Sequence, residues 1–148
     1  MKEIRTNSPK EMKKAAADMA VAIAKKRGNE PRVFALKGEL GSGKTTFAQG
    51  FAEGIGVKER VLSPTFVVMR EFQIPGAKGK LYHIDAYRLQ KEKDLLDLGW
   101  SDILKNPDNV VLVEWADRVK EILPPNTTWL RFENLGGEKR SVLIAQEA

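Results

Sequence analysis

The chain is predicted to fold as an α/β domain of three layers, with helices on both faces of a mixed, mainly parallel sheet. Three observations predict this. Apolar residues recur at helical spacing after Ser8 and again after Gly43. Between and beyond those stretches lie short β-prone runs, and Val110-Val111-Leu112-Val113 is apolar without a break, the pattern of a strand buried on both faces. No repeat, linker or low-complexity stretch interrupts the alternation. At 148 residues the chain is long enough for one core and short for two, so a single domain, 1–148, is expected.

The elements follow in order. Ser8-Pro9-Lys10-Glu11 reads as a capping box with proline at the first helical position. Met12, Ala16, Met19, Ala20, Ile23 and Ala24 then share one helix face, and Gly28 is expected to close that helix as its C′ residue. Arg32 to Leu36 is a short strand. A second helix starts near Gly43, runs through Phe47, Ala48, Phe51 and Ala52, and ends at Gly54 and Gly56. Phe66 to Phe72 and Leu81 to Asp85 are expected to pair as a hairpin across the turn at 74–79. Residues 91–98 form a short helix, Asp102 to Leu104 a further turn, and Val110 to Val113 the buried strand. Ala116 to Leu123 is expected to be helical and to stop at Pro124-Pro125. Two strands, 128–133 and 140–145, flank the hairpin loop Asn134-Leu135-Gly136-Gly137.

Composition removes several classes of chemistry. With no cysteine there are no disulfides, thiolate metal sites or cysteine nucleophiles, and the lone histidine, His83, excludes zinc sites that need two or three imidazoles. No stretch approaches the 18 apolar residues of a membrane span, and no apolar signal core follows Met1, so a cytoplasmic protein is expected. The net charge of +5 is uneven: residues 1–80 hold 16 basic and 8 acidic residues, and the rest hold 9 and 12. The basic residues are scattered and no aromatic side chains interleave with them, so charge alone does not make this a nucleic-acid-binding surface.

One motif goes further. Gly38-Glu39-Leu40-Gly41-Ser42-Gly43-Lys44-Thr45 satisfies G-x-x-x-x-G-K-[ST] in full, with a strand before it and a helix after it. At average glycine usage the pattern arises by chance at roughly 0.005 over a chain of this length. Gly41, Ser42 and Gly43 belong to a loop whose backbone N–H groups point at phosphate oxygens, and the helix start adds its partial positive charge. Lys44 is placed to reach the β- and γ-phosphates, and the Thr45 hydroxyl to bind Mg²⁺, with Thr46 following. The reading is a nucleoside triphosphate site.

Hydrolysis at such a site also needs a carboxylate at a strand end. Glu114 follows the apolar run 110–113 in the manner of a Walker B strand, and Asp85 ends the less apolar Leu81-Tyr82-His83-Ile84. On pattern alone, either one also fits a strand-end cap. Ser63-Pro64-Thr65-Phe66 places a threonine where switch loops sense the γ-phosphate, although an ordinary turn fits equally well. His83 shares a strand face with Asp85, a position that suits packing or a structural hydrogen bond.

Together these residues resemble the bacterial TsaE family of ATPases, which act in tRNA threonylcarbamoyladenosine (t6A) biosynthesis. The resemblance rests on residues 38–47, on Ser-Pro-Thr-Phe at 63–66, on His-Ile-Asp-Ala-Tyr-Arg-Leu at 83–89 and on Val-Glu-Trp at 113–115. A looser match covers 94–102 and the Thr6-Asn7-Ser8 opening. It implies a P-loop NTPase fold that hydrolyses ATP with Mg²⁺ and acts with the partner proteins TsaD and TsaB, with any tRNA contact made largely through that complex. It also implies that Lys44, Asp85, Glu114 and Thr65 are catalytic, with Thr45 and Glu114 as metal ligands and Asp85 as a catalytic or water-positioning carboxylate. By the same resemblance Trp115 lies by the nucleotide and the Thr6 region near the adenine. Glu39 and Ser42 depart modestly from the family pattern. Gln49 stands where a basic residue is expected, which weakens any role for that position in a basic partner surface. Residues 119–148 carry little of the resemblance, and no role is assigned there.

Two other functions fit the same loop. A small-molecule kinase shares it, but Arg88 and Arg118 are isolated, with no insertion long enough to form a lid. A nucleotide-gated binding module would use the loop for conformation rather than turnover. A GTPase would need an Asn-Lys-x-Asp signature, which does not occur.

Overall fold

The computed structural model describes residues 2–26, 28–59, 61 and 68–145. The chain runs β1 (Lys2–Thr6), α1 (Pro9–Ala24), β2 (Arg32–Lys37), α2 (Lys44–Gly54), β3 (Met69–Gln73), β4 (Lys80–Asp85), a 3₁₀ turn at Ala86–Arg88, α3 (Glu92–Leu96), α4 (Trp100–Ile103), β5 (Val110–Glu114), a 3₁₀ segment at Ala116–Ile122, β6 (Thr128–Gly136) and β7 (Lys139–Ala145). The strands form one sheet in the order β1-β7-β6-β2-β5-β4-β3. Its centre, β6-β2-β5-β4, is parallel, and antiparallel strands finish both edges. The observed architecture is therefore the expected mixed α/β sheet, parallel at its centre.

Period-two alternation sorts the central strands between two cores. Phe34, Leu36, Leu81, Val110 and Leu112 face α1 and α2, where Met12, Ala16, Ala20, Phe47 and Phe51 meet them. Val33, Ala35, Ile84, Val111 and Val113 face the opposite way, onto Leu95, Trp100, Val119 and Trp129. All five residues of β5 are buried, as its unbroken apolar run requires.

Several local expectations need correction. The strand β1 went unforeseen because Ile4 is its only strongly apolar residue; it pairs antiparallel with β7 at the sheet edge. Ser8 does cap α1, its Oγ accepting from the Glu11 N–H at 3.1 Å. The Glu11 carboxylate, however, reaches one residue further back and accepts from the Asn7 N–H at 2.8 Å. Gly28 does not close α1: the helix ends at Ala24 with a right-handed cap at Lys25, because the apolar stripe stops there and Lys25 and Lys26 have no face to bury. The hairpin partner of β4 starts at Met69 and runs on to Gln73; positions 66 and 67 of the expected strand lie outside the described residues. The segment after Trp115 is 3₁₀ rather than α-helical, broken where Val119 drops into the core. Among the described residues, no helix is long and apolar enough to cross a membrane.

The two helices on one face touch backbone to backbone. A Cβ on Gly50 would lie 2.5 Å from the Lys13 Cα, and one on Gly54 would lie 2.6 Å from the Ala17 Cα. A glycine inside a helix ordinarily gains about 0.5–1 kcal/mol when replaced by alanine. Here the sign should reverse. Gly50→Ala is expected to destabilise the protein by about 1–3 kcal/mol through overpacking, read as a lower guanidinium chloride midpoint with an unchanged slope.

Candidate active site

The carboxyl ends of three neighbouring parallel strands meet at one place. The strand β2 runs into the loop 38–43, β5 ends at Glu114 and β4 ends at Asp85, with Leu36, Glu114 and Asp85 side by side in register. Ligands of open α/β sheets sit at such strand ends. A cavity of about 630 Å³ opens there, lined by Leu40, Gly41, Gly43, Lys44, Thr45 and Thr46 of the loop and α2, by Asp85, Tyr87, Arg88, Glu114 and Trp115 of the strand ends, by Ser8, Pro9 and Met12 at the start of α1, and by Glu138 and Arg140. Its size suits a ligand of nucleotide dimensions.

The loop conformation needs its glycines. Gly41 (φ 79°) and Gly43 (φ 106°) occupy the left-handed region, and Gly43 hands the chain directly into α2. Leu40 at the loop tip is 88% exposed. Lys44, the first residue of α2, is buried; its Nζ donates to the carbonyls of Gly38 (2.5 Å) and Glu39 (2.9 Å) and stands 4.3 Å from the centroid of the Trp115 indole. Burial pushes the Lys44 pKa below its usual value, against the pull of Glu114 and then of Glu39, Asp117 and Asp85.

Trp115 is the one non-glycine residue with positive φ among the described residues, at 56°. A bulky side chain rarely adopts that conformation, and its cost, of order 1–3 kcal/mol, is offset by what the turn achieves. It directs the indole over Lys44. Behind the indole lies the Tyr87 ring, 5.1 Å between centroids, and the Arg118 guanidinium stands 4.7 Å from the Tyr87 centroid while donating to the Tyr87 carbonyl at 3.1 Å. Two cations thus bracket two rings in tilted contact, 51° between their planes.

The carboxylates differ in setting. Glu114 is 5% exposed; its Oε2 lies 2.5 Å from His83 Nε2, and its Oε1 accepts a long contact, 3.4 Å, from the Thr45 hydroxyl. Asp85 accepts from the Tyr87 N–H at 3.1 Å. Burial raises the Asp85 pKa above its ordinary 3.8, the Tyr87 hydrogen bond opposes the rise and the Glu114 charge adds to it.

The structure thus brings Gly41, Gly43, Lys44, Thr45, Thr46, Asp85, Glu114 and Trp115 around one cavity. Ser42 and Thr6 are buried beside it rather than lining it, and neither hydroxyl has a hydrogen-bond partner. Arg140, the ladder partner of Thr6, lines the cavity, as do Ser8 and Pro9. Thr65 and the rest of Ser63-Pro64-Thr65-Phe66 lie outside the described residues. Arg140, in the stretch left without a role, was missed. Its Nε donates to the Gly41 carbonyl at 3.1 Å, and its Nη1 to Asn134 Oδ1 and to the carbonyls of Gly137 and Lys139. An isolated arginine after a Gly-Gly turn gives no sequence signal of reaching a loop 99 residues away.

Fold and loop define an α/β protein whose site sits at the carboxyl ends of a parallel sheet. The chain belongs to the TsaE family: the family model described as threonylcarbamoyl adenosine biosynthesis protein TsaE matches residues 6–142. Among similar proteins, the Bacillus subtilis tRNA threonylcarbamoyladenosine biosynthesis protein TsaE is 38% identical over 141 residues, covering 93% of this chain and 81% of its own. The Streptomyces coelicolor protein of the same name is 42% identical over 106 residues, covering 70% and 69%. The crystal structure of Bacillus subtilis YdiB superposes with a TM-score of 0.74 at 33% identity, covering 95% of this chain and 82% of that one.

A raised carboxyl pKa means that the folded protein holds the Asp85 proton more tightly than the unfolded chain does. The contribution to stability is therefore full below about pH 3.8 and is lost as pH rises through the folded value. Asp85→Asn should accordingly raise urea resistance at pH 7, with the gain vanishing near pH 3.5.

Proposed function

We propose that the protein is a Mg²⁺-dependent ATPase of the cytoplasm that supports t6A modification of tRNA together with TsaD and TsaB, meeting tRNA through that complex. The observation that carries this reading is the convergence of Lys44, Thr45, Asp85 and Glu114 on the cavity in front of the glycine-rich loop. Membership of the TsaE family and the relatives' names supply the t6A context.

Each residue has a physical role in this reading. Loop N–H groups and the start of α2 favour phosphate oxygens. Lys44, held by two carbonyls and the indole face, is the cation that would meet the β- and γ-phosphates. Its depressed pKa is no obstacle, since a bound polyanion favours the charged form. The Thr45 hydroxyl and the Glu114 carboxylate form an all-oxygen pair, the donor chemistry that a hard cation such as Mg²⁺ prefers. When bound, the cation neutralises charge developing on the phosphates. Asp85, on the same sheet face two residues beyond His83, would serve as the catalytic or water-positioning carboxylate. The Trp115 indole, packed against Tyr87, presents an aromatic wall to the cavity. Thr65 completes the set as the switch-like residue implied by the family pattern.

The test follows phosphate release from Mg-ATP by the purified chain, with and without TsaD and TsaB. Release that rises with the partners is expected, whereas a phosphorylated small acceptor would overturn the reading in favour of a kinase. Lys44→Ala should weaken ATP binding and lower turnover by about 10²–10³-fold. Glu114→Gln should leave metal-free nucleotide binding intact, seen by isothermal titration, while turnover falls by about 10–100-fold.

A further inference from the structure

His83 has no part in the chemistry described so far, yet it is among the most deeply buried polar residues of the protein, at 1% exposure. Its position follows from the strand period. Leu81, His83 and Asp85 share the β4 face that looks toward α2, as do Val110, Leu112 and Glu114 on β5. His83 is in register with Leu112, so its ring lies diagonal to Glu114, within reach of a long side chain. Nε2 stands 2.5 Å from Glu114 Oε2, and Nδ1 is buried with no hydrogen-bond partner. An ionised carboxylate only accepts, so with Glu114 charged Nε2 is the donor of this contact. The imidazole thus directs its hydrogen bonding to a single carboxylate oxygen.

That contact has a consequence for the other oxygen. The last torsion of a glutamate side chain is broad and nearly two-fold, so an untethered carboxylate would sample many orientations. With Oε2 fixed by His83, Oε1 is turned toward the Thr45 hydroxyl, 3.4 Å away. We propose that His83 is the positioning residue of the site, fixing the Glu114 carboxylate so that Oε1 and Thr45 Oγ1 together present a preformed oxygen pair to a divalent cation. The proposal rests on the reading of Thr45 and Glu114 as cation ligands. It makes β4 supply two functions from one face: Asp85 into the cavity, and His83 behind Glu114.

The experiment compares the unsubstituted protein with His83→Gln, whose side-chain amide keeps a donor, and His83→Leu, which has none. Three readouts are needed: Mn²⁺ binding in the presence of ADP by electron paramagnetic resonance, ADP binding without metal by titration, and the ¹⁵N and ¹H resonances of the His83 imidazole. In the unsubstituted protein the imidazole should carry its proton on Nε2, and the resonance should shift in Glu114→Ala. His83→Leu should weaken Mn²⁺ binding by about 10–100-fold with metal-free ADP affinity unchanged, and His83→Gln should restore most of the loss. Mn²⁺ affinity equal to the unsubstituted protein's in a folded His83→Leu, or an imidazole with a proton on Nδ1 and none on Nε2, would overturn the proposal. So would equal loss of metal-free and metal-bound ADP affinity, since that is what a purely structural role predicts. Should the unsubstituted protein bind neither ADP nor Mn²⁺, the ligand reading of the site fails, while the imidazole spectrum still decides whether His83 holds Glu114.

Discussion

A carboxylate buried at the end of the central strand β5 must find hydrogen-bond donors, because an unpaired charge in that position would cost several kcal/mol. Glu114 finds them on two different elements, His83 from β4 and Thr45 from α2, and Lys44 stands close enough to feel its charge. Each partner arrives through a regular feature of the fold. Strand alternation brings the imidazole to the α2 face, and the glycine-rich loop sets the first turn of α2 above the strand ends. The contacts of this one carboxylate therefore tie β4, β5 and α2 together at the floor of the cavity.

The walls are built from less regular material. Trp115 takes a left-handed backbone conformation immediately after Glu114, which turns the chain away from the sheet and lays the indole across Lys44. Tyr87, from the turn that follows Asp85, packs behind it at a tilt. The residues that follow the two carboxylates thus join each other above the site. The aromatic contact between them links the ends of β4 and β5 outside the hydrogen-bonded ladder. Arg140 does a comparable job on the opposite side, connecting the β6–β7 hairpin to the loop through the Gly41 carbonyl.

Much of this was legible in the sequence, for reasons that differ by residue. The loop could be read because its spacing is a backbone requirement: Gly41 and Gly43 need positive φ, and Lys44 and Thr45 need the first turn of a helix. Glu114 could be read because β5 is apolar on both faces and stops at a charge. The strand β1 could not, since an edge strand with one strongly apolar residue lacks the alternation that marks a half-buried strand. Arg140 could not either, because its role depends on β6 lying beside β2, the strand that runs into the loop, and pairing between distant segments leaves no local trace. The same holds for the bond between His83 and Glu114. Each residue stood out alone, and only the parallel register of β4 and β5 made them neighbours.

The pairing of β1 with β7 joins the first strand to the last, and β7 also carries the arginine that caps the Gly41 carbonyl. During synthesis the loop at 38–45 emerges early, and domains generally begin to fold from the amino-terminal side. Yet the strand β1 has no neighbour in the sheet, and the loop has no Arg140, until residues 139–145 have left the ribosome. The order of the chain thus separates partners in time: β1 and the loop are made early, whereas the ladder partner of β1 and the arginine that bonds to the Gly41 carbonyl are made more than 90 residues later.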